Sequence, residues 1–327
     1  MDLWREPKAP LGVVSRSRVV DKPNSQTHQL AAAGIESGQR DKIPPGEGSG
    51  ACGVRNARGG PANRHELPRA DRIIEMGANT VIAWTDATWN PWQGCHKISL
   101  GCENCYMFRE KIQYGQEPDI VVRSKPPTFN LPLRLKKPMR VFTCSWSDFF
   151  IREADAWRDE AWAIIDRTRH LTYQILTKRI ERVAARLPWG AGEPWSHVQI
   201  VVSVENQEQA DRRIPKLLAV NATIRGVSYE PALGPVTFEQ SWMEHYGNGP
   251  PGNNIDRGLD WLVVGGESGP GYRSMNLADL ESVDAQTRAA GVPLFVKQDS
   301  GPKPGRQGRI PDRIWARKEF PATKISV

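Results

Sequence analysis

The run GCHKISLGCENCYM, residues 94–107, sets Cys95, Cys102 and Cys105 in the spacing Cys-x6-Cys-x2-Cys, in a chain with only two other cysteines, Cys52 and Cys144. Five is an odd number and three are crowded together, which suits metal or redox chemistry better than a disulfide framework. Gly94 and Gly101 let the backbone wrap closely. A helix is expected to begin near Cys102, where its positive end favours a thiolate. Structural zinc ordinarily takes four protein ligands in two pairs, and here the second pair is missing. Three thiolates match a [4Fe-4S] cluster with one iron left open. An open iron can chelate S-adenosylmethionine, as in radical S-adenosylmethionine enzymes, and such chemistry needs an electron donor such as flavodoxin or ferredoxin. Two other readings stay open: zinc, with His96 completing a Cys3His site, or Cys144 as a fourth cluster ligand. Adjacent residues seldom reach one tetrahedral ion together, which disfavours His96. A lone cysteine is more often a small buried hydrophobe, which disfavours Cys144.

The elements that must position these thiols follow from periodicity. From residue 76 onward, short apolar or β-branched runs alternate with segments of helical period, the pattern of βα units on a parallel sheet. The expected strands are 81–84, 140–144, 172–176, 198–204, 223–229, 260–264 and 293–297; the expected helices are about 103–114, 154–169, 178–187, 207–219 and 276–290. Seven strands with interleaved helices point to an α/β fold, a complete or partial TIM-type (β/α) barrel, with a doubly wound open sheet as the alternative.

Nearly every expected strand ends in small polar residues. They are Ser145, Ser147 and Asp148; Thr177, Lys178 and Arg179; Glu205 and Asn206; Glu230; Gly265, Gly266, Glu267 and Ser268; and Lys297 with Gln298. Parallel βα folds assemble their sites at the carboxyl ends of the strands. Lys178 and Arg179 are therefore candidates for phosphate or carboxylate recognition. Lys178, Glu205, Glu230 and Glu267 are the catalytic candidates, through hydrogen bonding or proton transfer. Ser145, Asp148, Asn206, Gly265, Gly266, Ser268, Lys297 and Gln298 are the cofactor-binding candidates. The competing reading makes each cluster a turn or a helix cap, roles that Asn, Asp, Ser and Gly also favour. Trp89 and Trp92 either exclude water from the metal or close the barrel mouth.

The formal charge is +7 with a pI near 9.2, spread along the chain. It would assist binding to nucleic acid, and the basic run 134–140 makes a nucleotide or nucleic-acid substrate an expectation, although such runs are usually solvated faces. No run of eighteen apolar residues and no apolar signal core is present, so neither membrane span nor export is indicated, and a cytoplasmic location is expected. Of 26 aromatic residues only Trp4 lies in residues 1–75. Such a segment cannot bury enough apolar surface to offset chain entropy, so 1–75 is expected to be a disordered extension and 76–327 the folded domain, with Met76 a candidate start codon. Cys52 falls in that extension.

The ordered motifs TWNPWQGCHKISLGCENCYM, FTCSWSDFF, YQILTKRIERV, VSVEN, SYEPALGPV, DWLVVGGESGPGYRSM and PLFVKQ, over about residues 80–299, resemble an uncharacterised family of phage and prophage proteins regarded as radical-SAM-like barrels with a three-cysteine motif. The resemblance implies a barrel and an iron–sulfur site, with Cys95, Cys102 and Cys105 as ligands and Lys178, Glu205, Glu230 and Glu267 in the pocket. It supplies no substrate. Radical S-adenosylmethionine enzymes usually carry Cys-x3-Cys-x2-Cys and place Gly-Gly-Glu one strand after the cysteines. Here the gap is longer and GGES comes late, so Glu267 is expected to serve another role, such as binding substrate. Two further readings compete: a zinc-stabilised binding module without catalysis, and a hydrolytic barrel using strand-end carboxylates with a divalent ion.

Overall fold

A computed structural model describes residues 80, 82–244 and 258–322. The expected extension 1–75, Cys52 and Met76 lie outside these residues. Seven strands form one sheet: β1 (Ala87–Trp89), β2 (Arg140–Thr143), β3 (Thr172–Thr177), β4 (Val198–Val204), β5 (Ile224–Tyr229), β6 (Trp261–Gly265) and β7 (Leu294–Gln298). They lie in sequence order and every neighbouring pair is parallel. Parallel neighbours need crossovers. Helices α2 (Asp155–Arg167), α3 (Gln207–Leu218) and α4 (Leu277–Ala290) supply three of them, while α1 (Tyr106–Gln113) lies in the long β1–β2 connection after the cysteines.

The strand period of two sorts side chains onto the two faces. Val141, Tyr173, Ile175, Val198, Ile200, Val202, Leu262, Val264, Leu294 and Val296 join the main core with the helices. Their alternates Phe142, Val201, Trp261, Val263 and Phe295 form a second cluster around Trp84, against which Leu176 packs. Gly226 belongs to this inner layer, because a Cβ there would sit 3.2 Å from Val201 and 3.6 Å from the Trp261 indole.

The sheet curls as a half-barrel with β1 and β7 as its edges: among the described residues no eighth strand joins them. The concave face is filled from outside the sheet instead. Trp84, ahead of β1, packs on Phe142 at 4.8 Å and Trp261 at 5.9 Å between ring centroids; Phe320, after β7, stacks on Trp261 at 5.8 Å. These large rings fill space that closing strands would enclose. They also account for the misplaced first strand: Val81 lies outside the described residues, 82–84 leads into a turn, and the strand begins at Ala87. The expected helix 178–187 is two short 3-10 turns, Ile180–Arg182 and Ala184–Arg186. The backbone N–H groups of Lys178 and Arg179 are taken by Asp148 and Thr177. No helix among the described residues is long and apolar enough to cross a membrane.

Candidate functional site

A cavity of about 570 Å³ opens at the carboxyl edge of the sheet, a size suited to a small molecule. Its wall includes Cys95, Cys102 and Cys105, with Cys144 beside them, and also Ser145, Asp148, Lys178, Glu230, Gly266, Glu267, Ser268, Lys297 and Gln298. Thus residues from strand ends far apart in sequence meet the cysteine loop. Three candidates stand back from the wall. Glu205 lies behind it with no exposure. Asn206 caps α3, its Oδ1 accepting from the Gln209 N–H at 3.1 Å. Gly265 is a spacer, its notional Cβ 3.4 Å from Lys297 and 3.5 Å from Glu230.

The cysteine loop is built by its neighbours. Leu100–Cys102 is a single 3-10 turn, and Cys105 is the N-cap residue of α1, so the helix begins at Tyr106 and not near Cys102. Buried Glu205 accepts from Ser99 Oγ at 2.7 Å and from Arg213 Nη1 at 3.0 Å, with Lys178 Nζ at 3.6 Å. Gly101 lies against this carboxylate; a Cβ there would be 2.4 Å from Glu205 Cγ. On the other side Glu267 accepts from Asn104 Nδ2 at 2.9 Å and from the backbone N–H and guanidinium of Arg273. Arg273 also donates to the Leu100 carbonyl at 3.0 Å and pairs with Glu103 at 2.7 Å. Glu267 therefore acts as a clamp on the loop.

Asp148 organises the third side. It accepts from Thr177 Oγ1 and the N–H groups of Phe150 and Lys178, and pairs with Arg179 at 3.3 Å. Arg179 in turn donates to Cys95 Sγ at 3.6 Å and to the His96 carbonyl at 3.1 Å. Lys297 pairs with Glu230 on the cavity wall. Ser145 Oγ accepts from Asn90 Nδ2, and its carbonyl accepts from Tyr106.

Burial pushes the Cys95 thiol up to about 12, despite the opposing pull of Arg179. Burial likewise raises Cys105, opposed by α1 backbone N–H groups and by Lys178, and raises Cys144 well above the usual thiol range. Without a bound cation these sulfurs are protonated at neutral pH. Burial works to raise Glu267 too, but Arg273 and Asn104 outweigh it and hold the carboxyl below its ordinary value.

His96 does not turn toward the thiols: its Nε2 meets Glu153 at 2.7 Å and it lines a separate surface depression. Among the described residues no three or more His, Cys, Asp or Glu side chains converge to hold a single metal ion. Trp89 and Trp92 do not line the cavity. Both are fully buried, donating to the Phe129 and Asp148 carbonyls at 3.0 and 3.1 Å, so their place is the core. The basic run 134–140 leads into the start of β2, while the cysteines meet the opposite, carboxyl edge.

The model of one protein family matches residues 79–312. The chain belongs to the DUF5131 family, proteins of unknown function. The match covers the half-barrel and all three cysteines; the family description names no reaction, no metal and no phage origin. No curated protein and no solved structure matches the chain. Within this DUF5131 domain, the loop-holding residues Ser99, Asn104, Arg213 and Arg273 were not singled out by sequence reasoning, since isolated polar residues on loops and helices carry no spacing signal.

Proposed function

We propose that this DUF5131 protein is an iron–sulfur enzyme of the radical S-adenosylmethionine type, with Cys95, Cys102 and Cys105 holding a [4Fe-4S] cluster at the cavity mouth. The observation that supports it is that three thiols of one loop share a small-molecule-sized cavity with the polar ends of the strands. The donor set fits: three half-buried or buried sulfurs, with Arg179 at 3.6 Å from Cys95 and the Lys178 charge acting on Cys105, favour thiolates once a cationic centre offsets burial. When bound, the cluster supplies one-electron reduction and an open iron on which S-adenosylmethionine can be held. A flavodoxin- or ferredoxin-type protein is proposed as its reductant.

The chain's own residues then have distinct tasks. Glu205 and Glu267 fix the loop that carries the sulfurs. Trp84 and Phe142 close the cavity floor against water. Glu230 and Lys297 form an ion pair able to hold or pass a proton at the cavity wall. Cys144 packs in the core, at positive φ (68°), and is not needed as a ligand.

Anaerobic reconstitution tests the reading. Brown protein with about four irons per chain, converting added S-adenosylmethionine to 5′-deoxyadenosine and methionine under a reductant, is expected; Cys105→Ala should lose the iron and Cys144→Ala should keep it. Colourless protein holding zinc, or a hydrolytic activity that survives Cys102→Ser, would overturn it.

A further inference from the structure

Four cations line the cavity: Arg109, Lys178, Arg179 and Lys297. Three are already committed. Lys178 lies 3.6 Å from Glu205, Arg179 pairs with Asp148 and touches Cys95, and Lys297 pairs with Glu230. Arg109, on α1 one turn after Cys105, is different: among the described residues its guanidinium has neither an ion pair nor a hydrogen-bond acceptor. Yet it is held in place. The guanidinium lies against Gly269 of the loop after β6, where a Cβ would stand 2.7 Å from Nη2 and 2.8 Å from Nη1. Gly269 has φ +105°, a conformation costly to any other residue, so the backbone there is shaped to leave room for this fork.

We propose that the cavity binds a small molecule bearing a terminal phosphate or carboxylate, and that Arg109, cradled by Gly269, is the residue that grips that anion. A planar fork suits a bidentate oxyanion, and the absence of a paired carboxylate among the described residues leaves its charge available. Anion recognition thus passes from Lys178 and Arg179, the residues the sequence singles out, to Arg109. The inference goes beyond the iron–sulfur reading and does not require metallated thiols.

The test uses the full chain with iron removed by chelation, so failure of the cluster reading leaves the outcome intact. Thermal unfolding is followed while inorganic phosphate or acetate is titrated against sodium chloride of matched ionic strength; the two anions separate the phosphate source from the carboxylate source. A saturable rise in midpoint is expected with at least one. Arg109→Gln should raise the half-saturating concentration roughly tenfold or more, as loss of a charged hydrogen bond implies. Arg109→Lys should fall between, and Arg169→Gln, an exposed cation elsewhere, should match the parent. Circular dichroism confirms that each variant is folded. No saturable rise with either anion, or an equal rise in the parent and Arg109→Gln, would overturn the proposal.

Discussion

Two buried carboxylates hold the cysteine loop, and they do so with arginine partners that differ in exposure. Glu205 and Arg213 face each other with no exposure at all, and two further guanidinium nitrogens of Arg213 have no partner among the described residues. Glu267 is also buried, but its partner Arg273 is partly solvated and reaches on to Leu100 and Glu103. The inner pair is the one whose loss cannot be repaired by water. The outer pair can be rehydrated, so it governs the loop's local order more than the stability of the whole.

The largest effect should come from breaking the inner pair. Glu205→Ala strands Arg213 in the core, and removal of one partner of a buried pair typically costs about 3–5 kcal/mol; urea denaturation measures it, and a loss near zero would refute the distinction. Next is Gly101→Ala, which drives a methyl group into Glu205 and is expected to cost about 2–3 kcal/mol by overpacking. Glu267→Gln should cost less, about 1–2 kcal/mol, the scale of charged hydrogen bonds at a partly wet rim. It should also speed proteolysis within residues 98–104.

Acid sharpens the same contrast. The Glu267 carboxyl is held below its ordinary value, so its contribution is full above that value and is lost as pH falls through the lower, folded one. Glu267→Gln should flatten that part of the acid limb of a stability–pH curve. The smallest effect is at the alkaline end. Cys95 is raised to about 12 from the ordinary thiol value of 9.0, so the metal-free fold favours the protonated form; its stability should decline as pH rises from 9 toward 12, and Cys95→Ala should reduce that decline.

The sheet was legible because its short apolar and β-branched runs are nearly continuous, as strands buried on both faces require; Val198–Val204 agrees end to end. Helices with strong caps were legible too, such as α3 behind Asn206 and α4 behind Asn276. What the sequence hid was closure. Trp84 reads as part of an apolar strand, and only packing against Phe142 and Trp261 reveals it as a filler of the concave face. At the site, cysteines and strand-end polar residues announced themselves by type and spacing. Their hydrogen-bond partners did not: those of Asp148 and Glu267 include Thr177, Asn104 and Arg273, on segments that sequence spacing does not link to them. Arg109 was invisible for the converse reason, since a cation without a partner among the described residues is recognised only after those residues have been placed.

The contacts that shape the loop span 106 residues from Ser99 to Glu205 and 163 from Asn104 to Glu267. A synthetic peptide of residues 94–107 would own every sulfur and none of the supports that set their spacing. Transplanting the motif into another protein would therefore require copying a three-dimensional frame, not a string of letters.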